Sequence, residues 1–124
     1  LALRAERAPN AKGAERLGYS RDYAAALAAA ETAAVVLVLD DPDCAVKTAG
    51  ALIYAGTVLG PDAPCCAADV VLPIANVAEE EGTFVNRDGR EQRYFQAKPA
   101  PGMARPAAWV LGELAAALGA QEVA

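Results

Sequence analysis

AVVLVLD, residues 34–40, is an unbroken run of leucine and β-branched side chains closed by an acid. It has neither the spacing of an amphipathic helix nor the alternation of a half-buried strand. The expectation is therefore a strand buried on both faces, the mark of a parallel sheet flanked by helices. ALIYAGTV at 51–58 repeats the pattern, and DVVLP at 69–73 repeats it in shorter form with a closing proline. Between the first two strands, DPD turns the chain and CAVKTAG is expected as a short crossover helix. GPDAPCCAA is expected as a loop or one helical turn, with Pro61 suited to a first helical position. Strand, crossover, strand, crossover, strand implies right-handed parallel connections. The predicted fold is a three-layer α/β domain with a parallel sheet, plus a β-hairpin and a C-terminal helix.

Upstream, residues 1–19 are polar and broken by Pro9, Gly13 and Gly18, which leaves room for at most a short helix. Ser20 suits a helix N-cap and Asp22 the first turn, ahead of the strong helix former YAAALAAAE. Downstream of Pro73, IANVAEEE is irregular. GTFVN and REQRYFQ then flank RDG as two short arms. Arg87 and Asp88 suit a type I turn, and Gly89 suits the left-handed residue that completes a three-residue hairpin with a bulge. AKPAPGMARP is a connector. Pro106 is placed to open a last helix whose Leu111, Leu114, Ala115 and Leu118 form one apolar stripe, stopped by Gly119. Residues 1–73 make the parallel part and 74–124 the hairpin, linker and final helix of a single domain.

The chain has 124 residues, enough for one core; it is 55% hydrophobic but rich in alanine, and only 6% aromatic, so packing layers are thin. It opens on Leu1 without a signal-peptide core, and the expectation is a piece of a longer protein. No apolar run reaches the roughly 18 residues of a membrane span. A net charge of −5 offers no footprint for nucleic acid.

Histidine is absent, which removes the commonest general base and metal ligand and rules out Ser–His and Cys–His nucleophiles within the chain. Cys44, Cys65 and Cys66 lack the spacing of a zinc or iron–sulfur site and are expected as free structural thiols in a reducing compartment. Glu79, Glu80 and Glu81 are adjacent and do not converge as a catalytic pair, so a solvated acidic loop is expected. Gly56 and Gly60 lack the G-x-G-x-x-G spacing of a phosphate loop. Trp109 is expected in the core.

ADVVLP, AEEEGTFVN and GREQ, in that order, resemble the molybdopterin oxidoreductase superfamily. The matching positions are Asp69, Pro73, Glu79, Gly82, Thr83, Asn86, Arg90 and Gln92, with Gly89 in the turn between. Asn10, Gly13, Ala14, Leu17 and Gly18 resemble another loop of the same fold, and PGMARPAAWVLGELAAALG resembles its linker and last helix. NRDGREQ, with Gly89 and the single Arg90 in place of paired arginines, is most similar to the C-terminal region of the large iron–sulfur subunit of respiratory complex I. That resemblance implies a structural and assembly role within an NADH-quinone oxidoreductase, with no catalytic residue, cofactor or metal in this segment. Iron–sulfur clusters would lie elsewhere in the large subunit. The implied partners are the rest of that subunit and other subunits of the peripheral arm, on the cytoplasmic side of the bacterial inner membrane. A piece of an active molybdenum enzyme such as formate dehydrogenase is a second reading, in which Thr83, Asn86 and Arg90 would line the pterin site. A nucleotide-binding or protein-interaction module is a third.

Overall fold

The computed structural model describes residues 10–117 and Gly119. Its chain order is α1 (Ala11–Arg16), α2 (Tyr23–Ala30), β1 (Val35–Leu39), β2 (Ala51–Gly56), β3 (Val70–Pro73), β4 (Gly82–Val85), β5 (Glu91–Tyr94) and α3 (Ala107–Ala117). The first three strands form a parallel sheet in the order β1-β2-β3, and β4 and β5 form an antiparallel hairpin. The register sets Val36 beside Leu52 and Val38 beside Tyr54. Because side chains alternate along a strand, these four share one face. Val38, Leu52 and Tyr54 join Cys44 and Cys65 in the core, with Leu27 of α2 and Val36 packed against them.

Tyr54 is the largest side chain sealed in this core, 1% exposed, and its hydroxyl donates to the Val58 carbonyl at 2.6 Å. The ring folds back over the end of its own strand. A side chain at Gly56 would collide with the Tyr54 hydroxyl and ring, so the close approach requires glycine there. Gly50 is constrained more tightly still. A Cβ at that position would run into the backbone carbonyls of Ala33 and Ala34, where the chain enters β1.

Four local expectations are corrected. The first strand is not buried on both faces: Val35, Leu37 and Leu39 are 52%, 37% and 47% exposed. A single helix-bearing face is enough to hold a strand this apolar, and its other face stays open. CAVKTAG is an irregular crossover rather than a helix. There Val46 packs on the core, while the Thr48 hydroxyl accepts from Gly50 N at 3.0 Å and turns the chain into β2. Such local side-chain bonds compete with helix formation. The N-cap of α2 is Asp22, whose carboxylate accepts from Ala25 N at 2.9 Å; Ser20 instead accepts from Asp22 N at 3.1 Å. Finally, Pro64 rather than Pro61 opens a 3-10 turn, Pro64–Ala67.

The hairpin follows the expected geometry. Gly89 N donates to Asn86 O at 2.9 Å, and Asn86 N donates to Arg90 O at 3.0 Å. Gly89 has φ +85, in the left-handed region. On α3, Leu111, Leu114 and Ala115 are half-buried on one stripe as expected, and Leu118 lies outside the described residues. Trp109 is a correction: it is 55% exposed, on the side of the helix turned away from that stripe.

Candidate functional site

In open parallel sheets, ligand crevices form beyond the carboxyl ends of the strands. Here β1 ends at Leu39, β2 at Gly56 and β3 at Pro73, and beyond them lies a cleft of about 390 Å³. The sheet contributes Leu39, Asp40, Thr57 and Ile74. The hairpin closes the far side with Phe84 and Tyr94, whose rings stack at 5.0 Å between centroids. Glu80 and the first residue of α3, Ala107, complete the rim.

Asp40 is the polar centre of the sheet side. Its backbone has φ +53, a left-handed conformation that aspartate tolerates better than most residues. That turn aims the carboxylate at the end of β2, where Oδ1 accepts from both Thr57 N and Thr57 Oγ1 at 2.8 Å. The carboxylate is thereby spent on joining two strand ends. Burial, and next the nearby Asp40 charge, push the Tyr54 phenol above its ordinary range.

The three glutamates are not one solvated acidic loop. Glu79 is 4% exposed. Its carboxylate accepts from Asn76 N at 3.1 Å and pairs with Lys98 Nζ at 3.0 Å, while its carbonyl accepts from Gln96 Nε2 at 2.9 Å. The bond from the Asn76 backbone, then Lys98, hold the Glu79 carboxyl below its usual range. Glu80 accepts from Tyr94 OH at 3.4 Å and from Ala107 N at 3.2 Å, so it faces the open amides at the start of α3. The Tyr94 phenol is pushed up by burial and by that neighbouring carboxylate. Only Glu81 is a surface acid, 3.4 Å from Arg93. Periodicity carries no sign of this division of labour, because three acids in a row look alike until the chain bends around Asn76.

The other singled-out residues serve the same framework. Asp69 brackets Leu52: its carboxylate accepts from Leu52 N at 2.8 Å and its amide donates to Leu52 O at 2.9 Å. Pro73 ends β3 beside Gly56. Gly82 leaves room for the Tyr94 ring, 2.7 Å from where its Cβ would stand. Asn86 Oδ1 accepts from Asp88 N at 3.0 Å and Arg90 N at 2.9 Å, closing the turn from inside. The early loop docks on this hairpin. Asn10 Oδ1 accepts from Val85 N at 2.8 Å, and Arg16 reaches Gly89 O at 2.7 Å and Glu91 at 2.8 Å. Two stretches far apart in sequence thus meet.

Thr83, Asn86 and Arg90 do not converge on the cleft. Thr83 alternates with Phe84 and so points to the opposite face of β4, Asn86 is spent on the turn, and Arg90 and Gln92 are exposed. Among the described residues the cleft lining carries the carboxylates of Asp40 and Glu80 and no lysine or arginine. A phosphate-bearing pterin needs cationic or free amide donors. These residues do not fit that group by themselves. Among the described residues no cluster of cysteines and acids has the arrangement of a metal site, and no helix is long and apolar enough to cross a membrane.

Comparison with known proteins agrees with the fold. The sequence model of the molybdopterin oxidoreductase family matches residues 18–117. The chain is 49% identical over 55 residues to the F420-dependent formate dehydrogenase 2 subunit alpha of Methanococcus maripaludis, covering 44% of this chain and 8% of that protein. It is 62% identical over 29 residues to an NADH-quinone oxidoreductase subunit of Shewanella oneidensis, covering 23% and 3%. A nitrate reductase of Symbiobacterium thermophilum is 46% identical over 52 residues, covering 42% and 7%. The matched stretches are therefore a small part of these relatives' own lengths. The chain belongs to the molybdopterin oxidoreductase family.

Proposed function

We propose that this chain is a structural segment of a large oxidoreductase subunit, most like the large iron–sulfur subunit of NADH-quinone oxidoreductase, and that it supplies framework rather than redox chemistry. The observation that carries this reading is the fate of the motif residues. Asp69, Glu79, Gly82 and Asn86 are all consumed by bonds or close contacts inside the segment. None of them is left to address a ligand. The high identity with the Shewanella NADH-quinone oxidoreductase subunit, though over 29 residues, favours that parent. On this reading, electrons move through clusters carried elsewhere in the large subunit. The segment's partners are the remainder of its own protein and its neighbours in the peripheral arm, at the cytoplasmic face of the inner membrane.

A second reading has its own support. The longer match, 55 residues, is to a formate dehydrogenase subunit. In a molybdenum enzyme, this segment would contribute the cleft wall while the cations for a pterin came from other parts of the protein. The experiment is deletion of the segment from the full-length protein. The structural reading expects assembly of the parent complex to fail while the cluster signals of the large subunit persist in electron paramagnetic resonance. Normal assembly and normal NADH–quinone turnover after deletion would contradict it.

A further inference from the structure

Two of the three thiols share the core under the parallel sheet. Cys44 is 8% exposed and Cys65 is sealed, and both belong to the cluster that holds Val38, Leu52 and Tyr54. They lie 21 positions apart, one in the crossover after β1 and the other in the 3-10 turn before β3. That turn rests on the crossover. Cys65 N donates to Pro42 O at 3.2 Å, and Cys65 Sγ lies 3.5 Å from Asp41 O and 3.6 Å from Cys44 O. Cys66, next in sequence, turns the other way: it is exposed, and its thiol donates to Gly60 O at 2.8 Å.

The surroundings give the two buried thiols different chemistry. Cys44 lines a groove of about 220 Å³ between α2 and β1, together with Tyr23, Leu27, Leu37 and Leu39. Tyr23 OH stands 3.4 Å from Cys44 Sγ, and this contact pushes the phenol above its ordinary range. The phenol therefore keeps its proton and donates to the sulfur. A thiolate is the reactive form of cysteine, and a donor at the sulfur favours it. Cys65 instead meets two carbonyl oxygens, which accept from S–H and favour the thiol. Burial, and next Cys44, hold the Cys65 thiol above its ordinary range.

We propose that Cys44 and Cys65 are a peroxide-sensing dithiol, which hydrogen peroxide converts into a disulfide that staples the crossover to the turn before β3. The Cys44 thiolate attacks one peroxide oxygen and the O–O bond breaks. The departing hydroxide takes the proton that Cys44 gave up and leaves as water, with Cys44 now a sulfenic acid. Rotation of the two side chains then brings sulfur to sulfur. The Cys65 sulfur displaces the oxygen from Cys44, and the hydroxide leaves with the Cys65 proton as a second water. Each thiol is oxidised by one electron, and one peroxide is reduced to two waters. Disulfides of this transient, sensing kind are the ones a reducing compartment permits. The proposal is independent of which oxidoreductase the segment serves.

Peptide mapping of the full-length protein tests this. After hydrogen peroxide, alkylation and trypsin, the peptide 22–47 is expected joined to the peptide 48–87, two hydrogens lighter than their sum and separable by dithiothreitol. Cys66→Ser should keep the link. Cys65→Ser should abolish it and leave Cys44 as a sulfenic acid that dimedone captures. Tyr23→Phe should slow formation of the link roughly tenfold, because the sulfur loses its donor. In the linked protein the amides of residues 45–48 should exchange more slowly with solvent and recover on reduction. No joined peptide in the unaltered protein overturns the proposal. A link that survives Cys65→Ser assigns the partner to Cys66 and overturns it as well. So does a rate indifferent to Tyr23→Phe, or exchange at 45–48 that oxidation leaves unchanged.

Discussion

Two regions of the molecule differ in how they use their polar groups. From Asn76 to Arg105 the chain has little regular structure, yet its acids, amides and turn residues bond to one another. Glu79 ties Asn76 to Lys98, Asn86 closes the hairpin, and Ala75 N donates to Arg105 O at 2.8 Å. From Val35 to Leu39 the chain is regular and apolar, yet among the described residues only one of its edges, that toward β2, is paired. The loop-rich region ties its polar groups to one another, although Val77, Phe95 and Met103 stay exposed. Regular secondary structure is thus a poor guide to where polar groups are satisfied: a buried carboxylate and closed turns mark the loop-rich region.

The most severe test falls where backbone meets backbone. Gly50→Ala forces a methyl group onto the carbonyls of Ala33 and Ala34, which cannot swing aside as a side chain would. The expected loss is about 3 kcal/mol, read as a lowered midpoint in urea unfolding of the full-length protein. An unchanged midpoint would show that the entry to β1 is looser than described.

Glu79 comes next, and its test carries a sign. Its carboxyl is held below the ordinary glutamate value near 4.3, so the stability it contributes is fully present above that pH and is lost as pH falls through the depressed value. Glu79→Gln should lower stability at neutral pH and flatten the acid limb of a stability-against-pH curve. A parallel curve for the variant would mean that the pair with Lys98 adds nothing in solution.

Gly89→Val tests the hairpin tip. A β-branched residue at φ +85 is expected to cost about 1 kcal/mol or more, seen as a lower Tm. The smallest effect belongs to the open side. Trp109→Ala, at an exposed ring, should stay within about 0.5 kcal/mol in the segment. In the full-length protein a larger loss at Trp109 would show that this face is also covered there.

The legible parts of the fold were those in which one residue type has one physical use. The apolar runs announce β1, β2 and β3, and Gly89 after Arg87-Asp88 announces the hairpin. Less legible were the places where neighbours decide. VVLVL does not say whether one or both of its faces are covered. CAVKTAG has the composition of a short helix, but Thr48 bonds locally and the crossover stays irregular. At the cleft, the run of three glutamates conceals three roles. Asp40 could have been suspected, as an acid ending a strand just before a turn, but only the fold shows its carboxylate spent on Thr57.

The central claim is that the motif residues build a framework and not a pterin site. The direct measurement is the molybdenum and pterin content of the purified full-length protein that carries this segment. The structural reading predicts iron and sulfide without molybdenum or an extractable pterin. Molybdenum near one atom per protein, lost together with pterin in a variant altered at Asn86 and Arg90, would contradict it.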